Sequence, residues 1–356
     1  MKIILIGRAN APRIIHIKNI EYILNRMNHF VHALKVYVQP LYFKDFENTR
    51  GTGLCNPSVF FDEDGTLRVN IRHVEYTLYY SQMYQSNYAG PLSYYHGDND
   101  LTLRTNNYMG TLDPDTLKLE TWKRVDMSSF DVPPLWEFVG LEDARLVRWD
   151  GRLFLLGVRR DTTPNGVGRM EFSEIVDNRE VSRCRIECPD TTSYCEKNWM
   201  PVIDKPYHFV KWTNPVEVVK VDLDSCNSEV VYTHPQLPGF AYDIRGGTPL
   251  IRWDEDTYLS ICHECEFTLK NHLGHKDGSY YHRFVLWDSK DFSVKMISNR
   301  FKFMGMAIEF CVGMTMKDEQ AVIAYACEDN ASYALKIPKN DLSDFIWTRL
   351  QCAYRR

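Results

Sequence analysis

Five times along the chain, a short apolar run, a turn built on Asp, Gly or Lys, and a second apolar run recur with polar residues at their outer ends. The copies start near Asn56, Glu142, Glu196, Arg245 and Glu309, roughly 50 to 85 residues apart, a spacing that points to a repeat architecture. They read "NPSVFFDEDGTLRVNIRHVE", "GLEDARLVRWDGRLFLLGVRRD", "KNWMPVIDKPYHFVKWTN", "RGGTPLIRWDEDTYLSICHE" and "EFCVGMTMKDEQAVIAYACEDN". Apolar runs of this length, rich in Val, Ile, Leu, Phe and Tyr, favour strands over helices. Third strands follow some of the pairs, as in "YYHRFVLWD" and "SYALKIP".

Five such sheets set radially make an all-β, five-bladed β-propeller, which leaves only short protected edges; a solenoid is the structural alternative. Antiparallel partners run oppositely, so the start of each first strand and the end of each second strand lie at the same end of their hairpin. The polar clusters should therefore gather at one mouth of a central channel. Upstream, Ile17, Ile20, Leu24, Met27, Val31 and Leu34 alternate by three and four, the stripe of an amphipathic helix packed on the propeller. The chain thus divides into an N-terminal strand and helix over 1–50, a catalytic propeller over 51–340 and a closing segment over 341–356. Residues 81–139 read as a long insertion, a lid or substrate wall.

A net charge of −5 and a pI near 6.1 supply no basic field for nucleic acid or an anionic membrane. The opening "MKIILIGRANAPR" is too short in apolar residues for a secretory segment or a membrane span, and no later run is long enough. Ten cysteines without such a segment read as reduced thiols, and the expected location is cytoplasmic.

The segment "GLEDARL" resembles the Gly-x-Glu-Asp-Pro-Arg motif of the inverting β-mannoside phosphorylases and the related β-1,2-mannosyltransferases, which are five-bladed propellers. "EKNWMP" resembles their third-blade Lys-Asn segment, "GGTPLI…YLSICHE" their Gly-rich strand ending in His, and "IEFCVG" their final-blade turn. The motifs come in the family's order over about residues 54–338. A closer likeness is to propeller domains that accompany glycosyltransferases. Ala144 stands where the family has Pro, and Trp199 follows the Lys-Asn pair.

The resemblance implies that Asp143 is the general acid, and the chemistry agrees: a departing glycosidic oxygen needs a proton, which a carboxylic acid among other acidic groups can hold at neutral pH. The plain alternative is a surface salt bridge with Arg145. Glu142, the next residue along a strand, is expected to face away and to be structural. Arg145, Arg159, Arg160, Lys197, Arg245 and His263 fall in the mouth clusters, where the resemblance implies phosphate or sugar-phosphate binding and where Arg suits bidentate capture of phosphate. Asn56, Arg72, His73, Asn107 and Asp161 are candidates for sugar hydroxyls, with Asn198, His282 and Glu309 at further cluster positions. Trp199, Tyr280 and Tyr281 offer aromatic faces, although strand aromatics are more often core.

No metal or cofactor is called for. "CHECEFTLKNHLGH" has a Cys-to-His span shorter than a zinc finger's, and the acidic triplets at Asp113 to Asp115 and Asp222 to Asp224 read as turns. The expected activity is inverting glycosyl transfer, mannosyltransferase-like, from a sugar phosphate or nucleotide sugar to a glycan acceptor. With a nucleotide-sugar donor, Asp143 becomes the base that deprotonates the acceptor. The rivals are a glycoside phosphorylase or hydrolase using phosphate or water, and a noncatalytic glycan-binding propeller.

Overall fold

The computed structural model describes residues 4–5, 13–14, 29–43, 53–75, 102–189, 192–240, 243–268, 277–348 and 350–351. Five of its six sheets are the expected blades, runs of antiparallel neighbours apart from a short parallel pairing of Leu103 and Arg104 with Phe138–Val139; the sixth is the pair Ile4–Leu5 and Arg13–Ile14. The first blade holds Gly53–Phe61, Leu67–Val74, Leu103–Leu112 and Leu119–Arg124. Glu142–Trp149, Arg152–Arg159, Arg169–Val176 and Arg179–Arg185 form the second. The third contains Met200–Pro201, His208–Thr213, Val216–Asp222 and Asn227–His234. In the fourth, the inner strand is broken into Ile244–Arg245 and Ile251–Arg252, both paired to Thr257–Thr268, followed by Asp277–Asp288 and Val294–Ser298. Glu309–Lys317, Gln320–Cys327 and Ala331–Pro338 make the fifth, whose outer strand is Val38–Leu41 from the start of the chain.

That last pairing closes the ring. It moves Val38–Leu41 out of the N-terminal segment expected over 1–50 and into the propeller. Leu350–Gln351 likewise adds to the fourth blade beside Val294–Ser298, after the closing helix Lys339–Thr348. Of the expected amphipathic stripe, Ile17, Ile20, Leu24 and Met27 lie outside the described residues; a short helix, Phe30–Leu34, buries Phe30 and packs Val31 and Leu34 on the core.

The strands read as continuous apolar runs because both faces of every sheet are covered by neighbouring blades. Along Arg152–Arg159, Leu153 and Leu155 enter the seam with the first blade, whereas Phe154, Leu156 and Val158 enter the seam with the third. Along Gln320–Cys327, Val322 and Ala324 face the first blade, and Ala321, Ile323 and Tyr325 the fourth.

Two expectations need correction. The supposed insertion over 81–139 contains the outer pair of strands of the first blade, so only its first part, up to residue 101, lies outside the described residues. Nor are all ten cysteines thiols: Cys184, on the outer strand of the second blade, is bonded to Cys226 in the third.

Candidate active site

Three inner strands begin with the same backbone irregularity. Asn56, Asp143 and Asn198 have φ of 48°, 51° and 63° in the first, second and third blades. This left-handed region is open to Asn and Asp at little cost, which explains those residue types at one repeat position. In the fourth blade Gly246 takes this place, and a Cβ there would lie 2.0 Å from the Asn198 carbonyl oxygen. The inner strands thus crowd each other at the mouth too closely for a larger residue.

The kink at Asp143 breaks the strand alternation on which the placement of Glu142 rested. The register slips opposite it, between Leu156 and Val158. Both carboxylates consequently reach one guanidinium: Arg72 Nη1 donates to Asp143 Oδ1 at 2.7 Å, and Arg72 Nη2 lies 3.5 Å from Glu142 Oε2. Asn56 Nδ2 donates to the same Asp143 Oδ1 at 2.7 Å. No hydrogen bond among the described residues uses Asp143 Oδ2.

The two carboxyls are pushed apart. Burial raises Asp143, but the charges of Arg72 and Arg145 and the Asn56 hydrogen bond outweigh it and hold the group below the ordinary carboxylate range. Burial and the neighbouring Asp143 push Glu142 above its usual value, against the pull of Arg72. Asp143 is therefore held as a carboxylate, and of the two groups Glu142 is the one that takes up a proton more readily. Glu142, expected to be structural and to face away, thus shares the Arg72 guanidinium with Asp143.

Opposite this pair lie the third and fourth blades. Lys197 is exposed and has no ion-pair partner among the described residues, yet its charge acts on Glu142, Asp143 and His263. His263 is buried, stacked 5.5 Å from Tyr280 and edge-on 4.7 Å from Phe310. Burial and the surrounding cations hold its imidazole well below the usual value, hence neutral. Arg245 is gripped at both ends by Asp243, at 2.8 and 2.7 Å. Arg160 donates to the Gly166 carbonyl and the Tyr194 hydroxyl, and lies over the Phe138 ring. Around the mouth, Glu142 Oε1, Asn56 Oδ1, Asn198 Oδ1 and His263 Nδ1 are buried without a hydrogen-bond partner among the described residues. Such groups are rare in a folded chain and mark a place where a polar ligand fits.

Other expected residues stand elsewhere. Arg145 is 1% exposed and is a strut across the channel, donating twice to the Gly247 carbonyl and once to that of Asp143. Trp199 is fully buried between the second and third blades with its indole N–H on Glu196, so its ring offers no face to a sugar. His282 is packed against Phe301 and Phe303. Glu309 accepts the backbone N–H groups of Phe303, Met304 and Met306 and is spent on that turn. His73 is buried edge-on to Tyr108, and Tyr281 is flanked by Arg300 and Lys302. Arg159, Asp161 and Asn107 gather in the seam between the first and second blades.

Fold and mouth together define a five-bladed β-propeller with two neighbouring carboxyls of the second blade held on one arginine of the first. No sequence-family model matches the chain. It is 28% identical over 154 residues to β-mannosyltransferase 2 of Komagataella phaffii, 41% of this chain; the chain spans only 24% of that curated relative's length. Among solved structures, it resembles the β-1,2-mannobiose phosphorylase of Listeria innocua, with a TM-score of 0.56 and 12% identity over 88% of this chain and 99% of the other. A mannose phosphorylase of Leishmania mexicana, solved with phosphate, gives 0.50 and 10% over 90% and 94%. At these identities the structural likeness establishes the propeller itself.

Proposed function

We propose that the chain is a carbohydrate-active enzyme that transfers a mannosyl group, with inversion, from a sugar phosphate or nucleotide sugar to a hydroxyl of a glycan acceptor. The observation that carries this reading is Asp143: an ionised carboxylate at a kinked strand start, with both its hydrogen bonds on Oδ1 and Oδ2 left over. As the acceptor oxygen bonds to the anomeric carbon, its proton passes to Asp143 Oδ2; on the opposite face the bond to the phosphate oxygen breaks, and the leaving group departs with the electron pair. Lys197, with Arg160 and Arg245 nearby, supplies positive charge for that leaving group, and neutral His263 a hydrogen bond. The names of the similar proteins support mannose as the sugar.

Phosphorolysis is the same transfer run backwards, the proton on Asp143 Oδ2 returning to the departing glycosidic oxygen, and the names of the similar phosphorylases support it as a second reading. Incubation with mannose 1-phosphate or nucleotide-linked mannose and a mannoside acceptor, followed by NMR of the products, tests both. The expected product from an α-linked donor is a β-mannoside. A retained anomer, or no transfer and no phosphorolysis by a folded protein that still binds mannosides, overturns the reading and leaves a glycan-binding propeller. With Asp143 as the base, kcat/KM for transfer should stay level as pH falls through the ordinary carboxylate range and drop only below it.

A further inference from the structure

Between the first and second blades, on the mouth face, lies a cavity of about 430 Å³, within the size range of small-molecule sites. The connection that leads from one blade to the next forms its outer wall. Both blades pin this wall: Arg183 donates to the Phe130 and Met127 carbonyls and to Asp131, Leu135 N–H donates to the Asp161 carbonyl, and Leu103 N–H to that of Glu137. Arg72 is the partition between cavity and mouth. Its Nε donates to Thr105 Oγ1 on the cavity side at 3.1 Å, while its terminal nitrogens hold Asp143 and Glu142. The cavity therefore begins one side chain away from the proposed proton acceptor.

Its chemistry is polar without net charge, four arginines in the lining facing four carboxylates. Arg159 in particular is compensated, by Glu171 at 2.6 Å and Asp161 at 3.5 Å, so it has little attraction left for a phosphate. Three polar groups of the lining have buried atoms without a hydrogen-bond partner among the described residues: Arg159 Nη2, Asp161 Oδ1 and Thr162 Oγ1. Arg159 and Asp161 are themselves 3% and 7% exposed. A donor, an acceptor and a hydroxyl among the lining residues suit the hydroxyls of a sugar ring, each of which both gives and takes a hydrogen bond.

We propose that this cavity is an acceptor subsite, which holds an uncharged sugar unit adjoining the one whose hydroxyl reacts beside Asp143. The inference rests on the transfer reading above and deepens it: the favoured acceptors are oligosaccharides of at least two units, and Arg159 serves the acceptor and not the phosphate.

The test compares mannose with β-1,2-mannobiose as acceptor, and uses Thr162→Val and Asp161→Asn in the full chain. Thr162→Val removes only a hydroxyl with no partner among the described residues, so it leaves the fold intact; Asp161 also accepts from Gly140 N–H, so its variant is checked by thermal melting. The expected result is a rise of about tenfold in KM for mannobiose in each variant, with kcat and KM for mannose unchanged. An equal loss on both acceptors, or no change on either, overturns the subsite. Mannobiose binding is measured separately by calorimetry. If the wild type turns over neither acceptor yet binds mannobiose, and Thr162→Val weakens that binding, the transfer reading fails and the subsite stands. Binding equal in both proteins removes the subsite.

Discussion

The seam between the fourth and fifth blades is filled by Phe284, Phe301 and Phe303, with Phe30 and Phe345 closing over them; Phe284 and Phe301 stack at 4.9 Å, and Phe30 meets Phe345 at 4.8 Å. At the mouth end of the seam between the first and second blades stand Arg72, Glu142, Asp143, Arg159 and Asp161, beside a cavity. One repeat thus produces both a packed joint and a polar one. A propeller can therefore place its stability and its chemistry in different joints, since each seam is packed between two neighbouring blades and only struts such as Arg145 cross the channel. Buried rings favour the fold through area and close packing. Buried charges contribute little net stability, because their desolvation offsets their attraction, and they are better explained by what they do to a ligand.

Substitution in each seam should separate the two. Asp143→Asn keeps the shape, tolerates the left-handed backbone and leaves Glu142 to compensate Arg72, while it removes the proton acceptor. Turnover should fall by about 100- to 10,000-fold, with a melting shift smaller than that of the next variant. Phe301→Ala should do the reverse: about 3–5 kcal/mol of stability lost, with KM for donor and acceptor unchanged in the folded fraction. Kinetics and denaturant unfolding of the two proteins side by side would break the comparison if Asp143→Asn unfolds the chain as readily, or if Phe301→Ala abolishes turnover while folded.

The joint between the second and third blades is of a third kind, since Cys184 and Cys226 link them covalently across 42 residues. Cys184→Ser should cost about 2–4 kcal/mol, chiefly by freeing the unfolded chain. A reductant should lower the melting temperature of the wild type and leave the variant's unchanged. Equal responses in both would mean that this joint is held by packing alone.

How much of this was legible in the sequence follows from the same geometry. Runs such as "LFLLGV" are apolar throughout because both faces enter seams, so the inner hairpins and their number could be read directly. Leu103–Leu112 was not read as a strand, since its Asn, Thr and Gly residues lie toward the mouth or on a half-exposed edge where no apolar pattern is required. Val38–Leu41 carries Pro40, compatible with an outer edge, and its partner lies almost the whole chain away; nothing local announces such a pairing. At the candidate site, the mouth positions of Asn56, Arg72, Asp143 and Lys197 follow from their places in the repeats, while Asp143 was singled out by the family resemblance. Glu142 was missed because alternation fails at a left-handed residue, a departure that the recurrence of Asn or Asp at the strand starts could have signalled. Trp199 and His282 were misplaced for a different reason: a strand position gives the height along a blade, but not whether the side chain enters a seam or the channel.

His282 provides the finest test of the contrast, because it is a titratable group inside the apolar seam. Its ring lies 5.7 Å from that of Phe301 and 4.9 Å from that of Phe303, and burial together with the Lys302 charge holds its imidazole down to about 3. In the unfolded chain a histidine titrates near 6.5. The unfolded state therefore binds the proton first, and its contribution to stability is complete above about pH 6.5 and declines as pH falls toward the folded value, by up to about 1.4 kcal/mol per pH unit. His73, held to about 4, and His263 act in the same direction. Raised carboxyls such as Glu142 and Glu171 act in the opposite one, so the whole-protein curve mixes the two. Subtraction isolates the seam: the stability difference between wild type and His282→Gln, measured by denaturant unfolding from pH 7.5 to 5, should be constant above about pH 6.5 and shift steadily in the variant's favour below it. A difference that stays flat across the whole range would mean that His282 is not held neutral by the phenylalanines, and that the fourth–fifth seam is more accessible to water than its packing indicates.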